Sequence, residues 1–269
     1  MKGNLVFLGA GNMAEALVSG LLACNRWPRA RIIVTDIAEE RRRLFVEKFG
    51  VHAQSDNAAA VAGAAVVVLA VKPQMLAEVF AAIRAALPAD ALIVSIAAGI
   101  TTAKIENALG GQVRVVRSMP NTPALVGCGV AAICGGLHAK PADLDTAQDL
   151  LSATGEVVRV EEAAMDAVTA VSGSGPAYVF YLMEAMLEAA RRMGLAGDVA
   201  RKLVYTTVKG SAELILRHKL PPEELRARVT SKGGTTAAAI AVKDRREVKA
   251  AIIEAMLAAQ ARAAELAKL

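Results

Sequence analysis

Between residue 4 and about residue 160 the chain alternates short runs that are apolar at nearly every position with longer segments whose apolar side chains recur every three or four residues. The runs fall at 5–8, 31–35, 66–71, 92–96, 113–117, 130–134 and 157–160, and most are built from Val, Ile and Leu. A strand that is apolar at successive positions is covered on both faces, the condition of a parallel sheet. The amphipathic stretches between them predict the crossover helices that parallel strands require. Past about residue 161 the β-branched runs thin out, and Ala, Leu, Met, Glu, Lys and Arg take over at helical spacing. The pattern therefore predicts an α/β chain with a mainly parallel sheet domain over 1–161 and an all-helical domain over 162–269.

Within the second part, Pro176 suits a first helical position and Gly194 ends that helix. Asp198 is positioned to cap a second helix that reaches about Arg217. Asp244, with Glu247 three residues on, predicts a capping-box start for a final helix ending near Lys268. Its stripe of Val248, Ile252, Ala255, Met256 and Ala259 needs a partner surface.

Composition changes this picture in three ways. Hydrophobic residues make up 55% of the chain and mean hydropathy is +0.41. Yet no uncharged run can span a bilayer: 57–71 is too short, 118–139 contains Pro120 and Pro123, and 167–183 is broken by Ser172-Gly173-Ser174-Gly175-Pro176. The amino-terminal residues show no charged leader before a long apolar segment, and Cys24, Cys128 and Cys134 match neither a zinc nor a disulfide spacing, so a cytoplasmic protein with reduced thiols is expected. The net charge of +5 is scattered among acids and aromatics are only 3%, which disfavours nucleic acid and fits small anionic ligands.

Candidate chemistry begins with Gly9-Ala10-Gly11-Asn12-Met13-Ala14, directly after the first strand and before a helix. One glycine makes the turn, the next admits a pyrophosphate to the backbone, and a small third residue lets helix and strand pack, the fingerprint of a Rossmann-type dinucleotide site. Asp36 ends the second strand, where an acid bonds a ribose 2′-hydroxyl, while Arg41, Arg42 and Arg43 follow where a 2′-phosphate could be met or where they simply face solvent. NADH and NADPH both stay open. Ala70-Val71-Lys72-Pro73, residues 95–99 and Arg117-Ser118-Met119-Pro120-Asn121-Thr122-Pro123 occupy further strand ends, where ligands gather. In the helical part, Ser172-Gly173-Ser174-Gly175-Pro176-Ala177-Tyr178 and Ser231-Lys232-Gly233-Gly234-Thr235-Thr236 each lead small residues into a helix, an arrangement that exposes amides at a positive dipole end or serves only as a hinge.

Taken in order, the segments 9–14, 71–73, 117–123, 172–178 and 231–236 resemble the motifs of the pyrroline-5-carboxylate reductase family across the whole chain, except that Lys232 stands where proline is usual. The resemblance implies reduction of the imine of 1-pyrroline-5-carboxylate to L-proline by NADPH or NADH. It implies a catalytic Thr236 bonding the imine nitrogen, with Ser231, Gly233, Gly234 and Thr235 around the substrate carboxylate. The pyrophosphate is expected at Gly9, Gly11, Asn12 and Met13, the ribose at Asp36, and further cofactor contacts at Ala70, Val71, Lys72 and Pro73. Ala97, Pro120, Asn121, Ser172, Ser174 and Gly175 are expected at the nicotinamide end. A homodimer or ring of dimers, with no membrane or nucleic-acid partner, is also implied. Two competitors are a β-hydroxyacid dehydrogenase, which would place a lysine on the helix after Pro176, and a cofactor-binding sensor that does no chemistry.

Overall fold

The structure, a computed structural model, describes residues 3–268. Eight strands form one sheet: β1 (Asn4–Leu8), β2 (Ile32–Thr35), β3 (His52–Gln54), β4 (Ala64–Leu69), β5 (Leu92–Ser95), β6 (Arg114–Met119), β7 (Gly129–Gly135) and β8 (Gly155–Arg159). Their order is β3-β2-β1-β4-β5-β6-β7-β8, and every pairing is parallel except β6 with β7. Helices α1 (Asn12–Ala23), α2 (Glu39–Phe49), α3 (Asn57–Val61), α4 (Leu76–Ile83), α5 (Thr102–Leu109) and α6 (Pro141–Leu151) connect the strands.

The unbroken apolar runs are explained by two-sided burial. Alternate residues of a strand point to opposite faces. Leu5 and Phe7 enter one core with Leu17, Val34, Phe45 and Val94, whereas Val6 and Leu8 enter the other with Val67, Phe80, Ile93 and Ile105. Phe7, Leu5, Leu8 and Leu17 are wholly buried, each contributing about 1.5–3 kcal/mol by burial.

The chain divides into two compact units, Met1–Ser174 with Ala259–Leu269, and Gly175–Ala258. The change of composition lies near 161; the contact boundary lies after Ser174. In the first unit, α7 (Met165–Val168) runs into a π-helical turn, Thr169–Gly173. Also within it, the end of α12 (Val248–Lys268) is tied to α5, where Lys104 Nζ donates to the Ala267 carbonyl at 2.8 Å. The second unit holds α8 (Gly175–Arg192), α9 (Gly197–His218), α10 (Pro222–Arg228), α11 (Thr235–Arg245) and the first part of α12.

Three sequence expectations are corrected here. Asp244 lies in the last turn of α11, and Glu247, at φ +51, separates that helix from α12. The Ala-rich stretch 237–241 carries α11 through Asp244 before a cap can form. Asp198 sits in the first turn of α9 after an extended Ala196, so it complements the dipole rather than capping the helix. Residues 172 and 173 belong to the π turn and do not lie open with free amides, and Ser174 closes it, its amide donating to the Thr169 carbonyl at 2.8 Å.

Candidate active site

The sheet order reverses direction between β1 and β4, and the carboxyl ends of β1, β2 and β4 meet there. Such a switch point is where open α/β sheets take ligands. A cavity of about 430 Å³ lies there, lined by Gly9, Gly11, Asp36, Ala70, Val71 and Lys72 together with Thr35, Ile37, Ser55 and Asn57. Six residues expected from the sequence at a dinucleotide site are thus brought together. Pro73 opens a 3₁₀ turn beside it, with Lys72 held extended as its first flanking residue.

The turn after β1 is built for close approach. Gly9 has φ +104, and a Cβ there would stand 2.7 Å from the Ala70 carbonyl oxygen. Gly11, at φ −74 and ψ 178, precedes α1 with no side-chain cap, and a Cβ there would meet nothing within 4 Å. Since the Glu15 amide is the first to bond back, to the Gly11 carbonyl at 3.0 Å, the amides of Asn12, Met13 and Ala14 have no intrahelical acceptor. An uncapped helix start with an unobstructed glycine before it fits a diphosphate. Asp36 accepts from the Ala10 amide at 2.8 Å and the Ala38 amide at 2.9 Å, and Ile37 beside it is 83% exposed, an apolar face suited to a base.

Sequence reasoning passed over Thr35, Ser55 and Asn57. The Thr35 hydroxyl donates to Asn57 Oδ1 at 2.5 Å. Their signal is the short edge strand β3, whose carboxyl end delivers Ser55–Asn57 to the cavity. Its three residues, His-Ala-Gln, show no hydrophobic run.

The loop expected at the nicotinamide end is braced. Asn121, 9% exposed, accepts from the Val130 amide at 3.0 Å and donates to the Ser172 carbonyl at 3.3 Å, joining the proline-flanked segment to the π turn. Arg117 on β6 pairs with Glu162 at 3.3 Å, and Glu162 also accepts from the Thr102 amide at 2.8 Å and the Thr102 hydroxyl at 2.7 Å. Ala97 is buried after β5, its amide donating to Ser95 Oγ at 3.3 Å. Burial, followed by the Glu162 charge, pushes the Cys134 thiol up to about 12, so it is neutral at ordinary pH and no nucleophile.

In the second unit, Gly234, at φ −78 and ψ 172, precedes α11 with no side-chain cap. Its own amide donates to the Ser231 carbonyl at 3.1 Å, and the first bond back is from Ala238 to the Gly234 carbonyl at 3.1 Å. The donors left at this helix start are the amides of Thr235, Thr236 and Ala237, not that of Gly234. Gly233 makes the turn at φ +75.

Residues 162–266 match a family model described as pyrroline-5-carboxylate reductase dimerisation, and residues 4–99 match one described as NADP oxidoreductase, coenzyme F420-dependent. The pyrroline-5-carboxylate reductase of Pseudomonas aeruginosa is 45% identical over 265 residues, covering 98% of this chain and 97% of that protein. The chain belongs to the pyrroline-5-carboxylate reductase family. The structure of the Coxiella burnetii pyrroline-5-carboxylate reductase has 39% sequence identity, a TM-score of 0.91 and 99% coverage of both chains. That of the Plasmodium falciparum pyrroline carboxylate reductase, solved with NADP bound, has 28% identity, a TM-score of 0.89 and 98% coverage of both. Pyrroline-5-carboxylate reductase kinship over the whole length disfavours the β-hydroxyacid dehydrogenase alternative, and the first turns of α8, Ala177 to Met183, carry no lysine.

Proposed function

We propose that this chain reduces the imine of 1-pyrroline-5-carboxylate to L-proline with NADPH or NADH. The observation that carries this is the uncapped start of α1 on the β1/β4 cavity, within a chain whose full length is that of the reductases it matches. A reduced nicotinamide, when bound, supplies the hydride. The amides of Asn12, Met13 and Ala14 hold the diphosphate past Gly9 and Gly11, and Asp36 meets the adenosine ribose. Ala70, Val71, Lys72 and Pro73 shape the wall beside it. Ala97, Pro120, Asn121, Ser172, Ser174 and Gly175 form the nicotinamide end and keep water out. At the substrate, the amides of Thr235 and Thr236, with Ser231 and the Gly233-Gly234 turn, take the carboxylate, and the Thr236 hydroxyl donates to the imine nitrogen.

Residues 1–161 are proposed as the dinucleotide-binding part and 162–269 as the part for substrate and dimerisation. Among the described residues no helix is long and apolar enough to cross a membrane. We further propose a cytoplasmic homodimer or ring of dimers that has no nucleic-acid partner.

Absorbance at the reduced-nicotinamide band, followed with pyrroline-5-carboxylate and each nucleotide in turn, tests the reading. Oxidation with matching formation of proline is expected; nucleotide binding without oxidation would make the chain a sensor. Thr236→Ala is expected to lower kcat about a hundredfold, in line with loss of one positioned proton donor, with Thr236→Ser restoring part of it. Full turnover by Thr236→Ala would remove that role.

A further inference from the structure

We propose that Arg41 and Asp36 are positioning residues that clamp Ala10 at its amide and at its carbonyl, fixing both peptide groups that flank it, and so keep the diphosphate-binding turn open for either nucleotide. The proposal rests on the dinucleotide reading of the β1/β4 cavity.

Ala10 is wholly buried between Gly9 and Gly11. Its amide is held by Asp36 Oδ2 at 2.8 Å, and its carbonyl accepts from Arg41 Nε at 2.6 Å. Both grips are charge-assisted, the stronger class of hydrogen bond. Neither side chain is free to swing. Asp36 Oδ1 accepts from the Ala38 amide at 2.9 Å, and Arg41 Nη2 is bound to Glu15 Oε2 at 2.9 Å while its guanidinium lies 5.9 Å from the Phe45 ring centre. Glu15 in turn takes Lys48 Nζ at 2.9 Å, so an acid in the first turn of α1 is covered by two cations just where a diphosphate would otherwise be repelled. Lys48, followed by Arg41, keeps the Glu15 carboxyl below its usual range.

Gly9 before it and Gly11 after it leave the peptide groups on either side of Ala10 unusually free to rotate. Rotation of the Ala10–Gly11 peptide would turn the Ala10 carbonyl toward the phosphates and spoil the row of amides that follows. The clamp fixes that peptide with the Ala10 carbonyl turned away to α2. It also gives Arg41 a role distinct from the one its place in the run 41–43 suggests. A reader of the 2′-phosphate needs uncommitted donors, and the Nε and one Nη of Arg41 are already engaged, its charge balanced by Glu15. Arg42 donates instead to the carbonyls of Asp36 and Ile37, at 2.7 and 2.9 Å.

The test is the Kd of NADH and of NADPH, by calorimetry on the full chain, for wild type, Arg41→Ala, Arg41→Lys and Asp36→Asn, each with its thermal midpoint. Arg41→Ala is expected to weaken both nucleotides by the same factor, about tenfold for one charge-assisted bond, leaving their ratio unchanged. Arg41→Lys is expected to recover only part, since one ammonium cannot replace the fork that spans Ala10 and Glu15, and it carries the same comparison should the alanine variant fail to fold. Asp36→Asn, whose amide nitrogen cannot accept and so gives up one of the two backbone grips, is expected to weaken both nucleotides and, by removing the charge beside the ribose, to weaken NADH more, moving the ratio toward NADPH. Loss of NADPH affinity alone in either Arg41 variant would make Arg41 the phosphate reader and overturn the proposal. So would unchanged affinity for both nucleotides. A wild-type chain that binds neither removes the dinucleotide reading and the clamp with it, a result distinct from binding that Arg41 does not influence.

Discussion

Gly9 and Gly11 stand two residues apart and are glycine for different reasons. At Gly9 the backbone is left-handed, and a side chain would strike the Ala70 carbonyl. Gly9→Ala is therefore expected to cost about 1–3 kcal/mol of stability through backbone strain, seen as a lower midpoint in urea. At Gly11 the backbone is ordinary and the space is open, so Gly11→Ala is expected to keep the wild-type midpoint. Its methyl would occupy the approach of the diphosphate instead, weakening NADPH at least about tenfold. Should Gly11→Ala bind as wild type does, the phosphates lie elsewhere. Equal unfolding midpoints for the two variants would remove the steric account of Gly9.

At the scale of elements, Glu162 is the small part that ties several together. It reaches β6 through Arg117, whose side chain is 4% exposed, and the start of α5 through both the amide and the hydroxyl of Thr102. Glu162→Ala leaves a buried guanidinium without its counter-charge and is expected to cost about 3 kcal/mol. Arg117→Met with Glu162→Ala should recover part of that loss; a single variant as stable as wild type in chemical unfolding would show the brace to be idle.

The same scale shows what was legible in the sequence. Six strands announced themselves because two-sided burial favours nearly continuous apolar runs, and a seventh, β8, through its valines although its residues are half-buried or exposed. The eighth, β3, did not, because an edge strand of His-Ala-Gln needs no such run, and with it went Ser55 and Asn57. That the glycine turn and Asp36 meet at one cavity was legible because a strand, a tight turn and a helix fix their places along the chain. The arginine run was not resolved by its letters, since only the fold shows Arg41 on Ala10 and Glu15. The false capping box at Asp244 and the helical state of 172–173 share one cause. Local cap chemistry is worth about 1 kcal/mol, and a few favourable helical residues on either side are enough to override it.

For the whole molecule, the second unit poses a question that its own chain does not answer. Among the described residues of α8 and α9, only Ala190, Ala200 and Val204 are buried, while Val179, Phe180, Tyr181 and Leu182 cover a full turn of α8 in the open, with Phe180 56% and Tyr181 75% exposed. Leu203, Tyr205, Ile252, Ile253 and Leu257 are exposed as well. A helix apolar around its whole circumference is normally enclosed, and an apolar surface of this extent on a lone chain marks an interface. Residues 162–266 match a dimerisation model, so the partner we propose is a second copy. Light scattering behind size exclusion is therefore expected to give a multiple of 27.9 kDa. Tyr181→Asp would place a charge in a surface that must become dry over at least about 1,000 Å², and is expected to shift the mass downward and make the thermal midpoint depend on concentration. A wild-type chain that runs as a monomer at micromolar concentration, with Tyr181→Asp indistinguishable from it, would mean that these helices are covered by something other than a second copy.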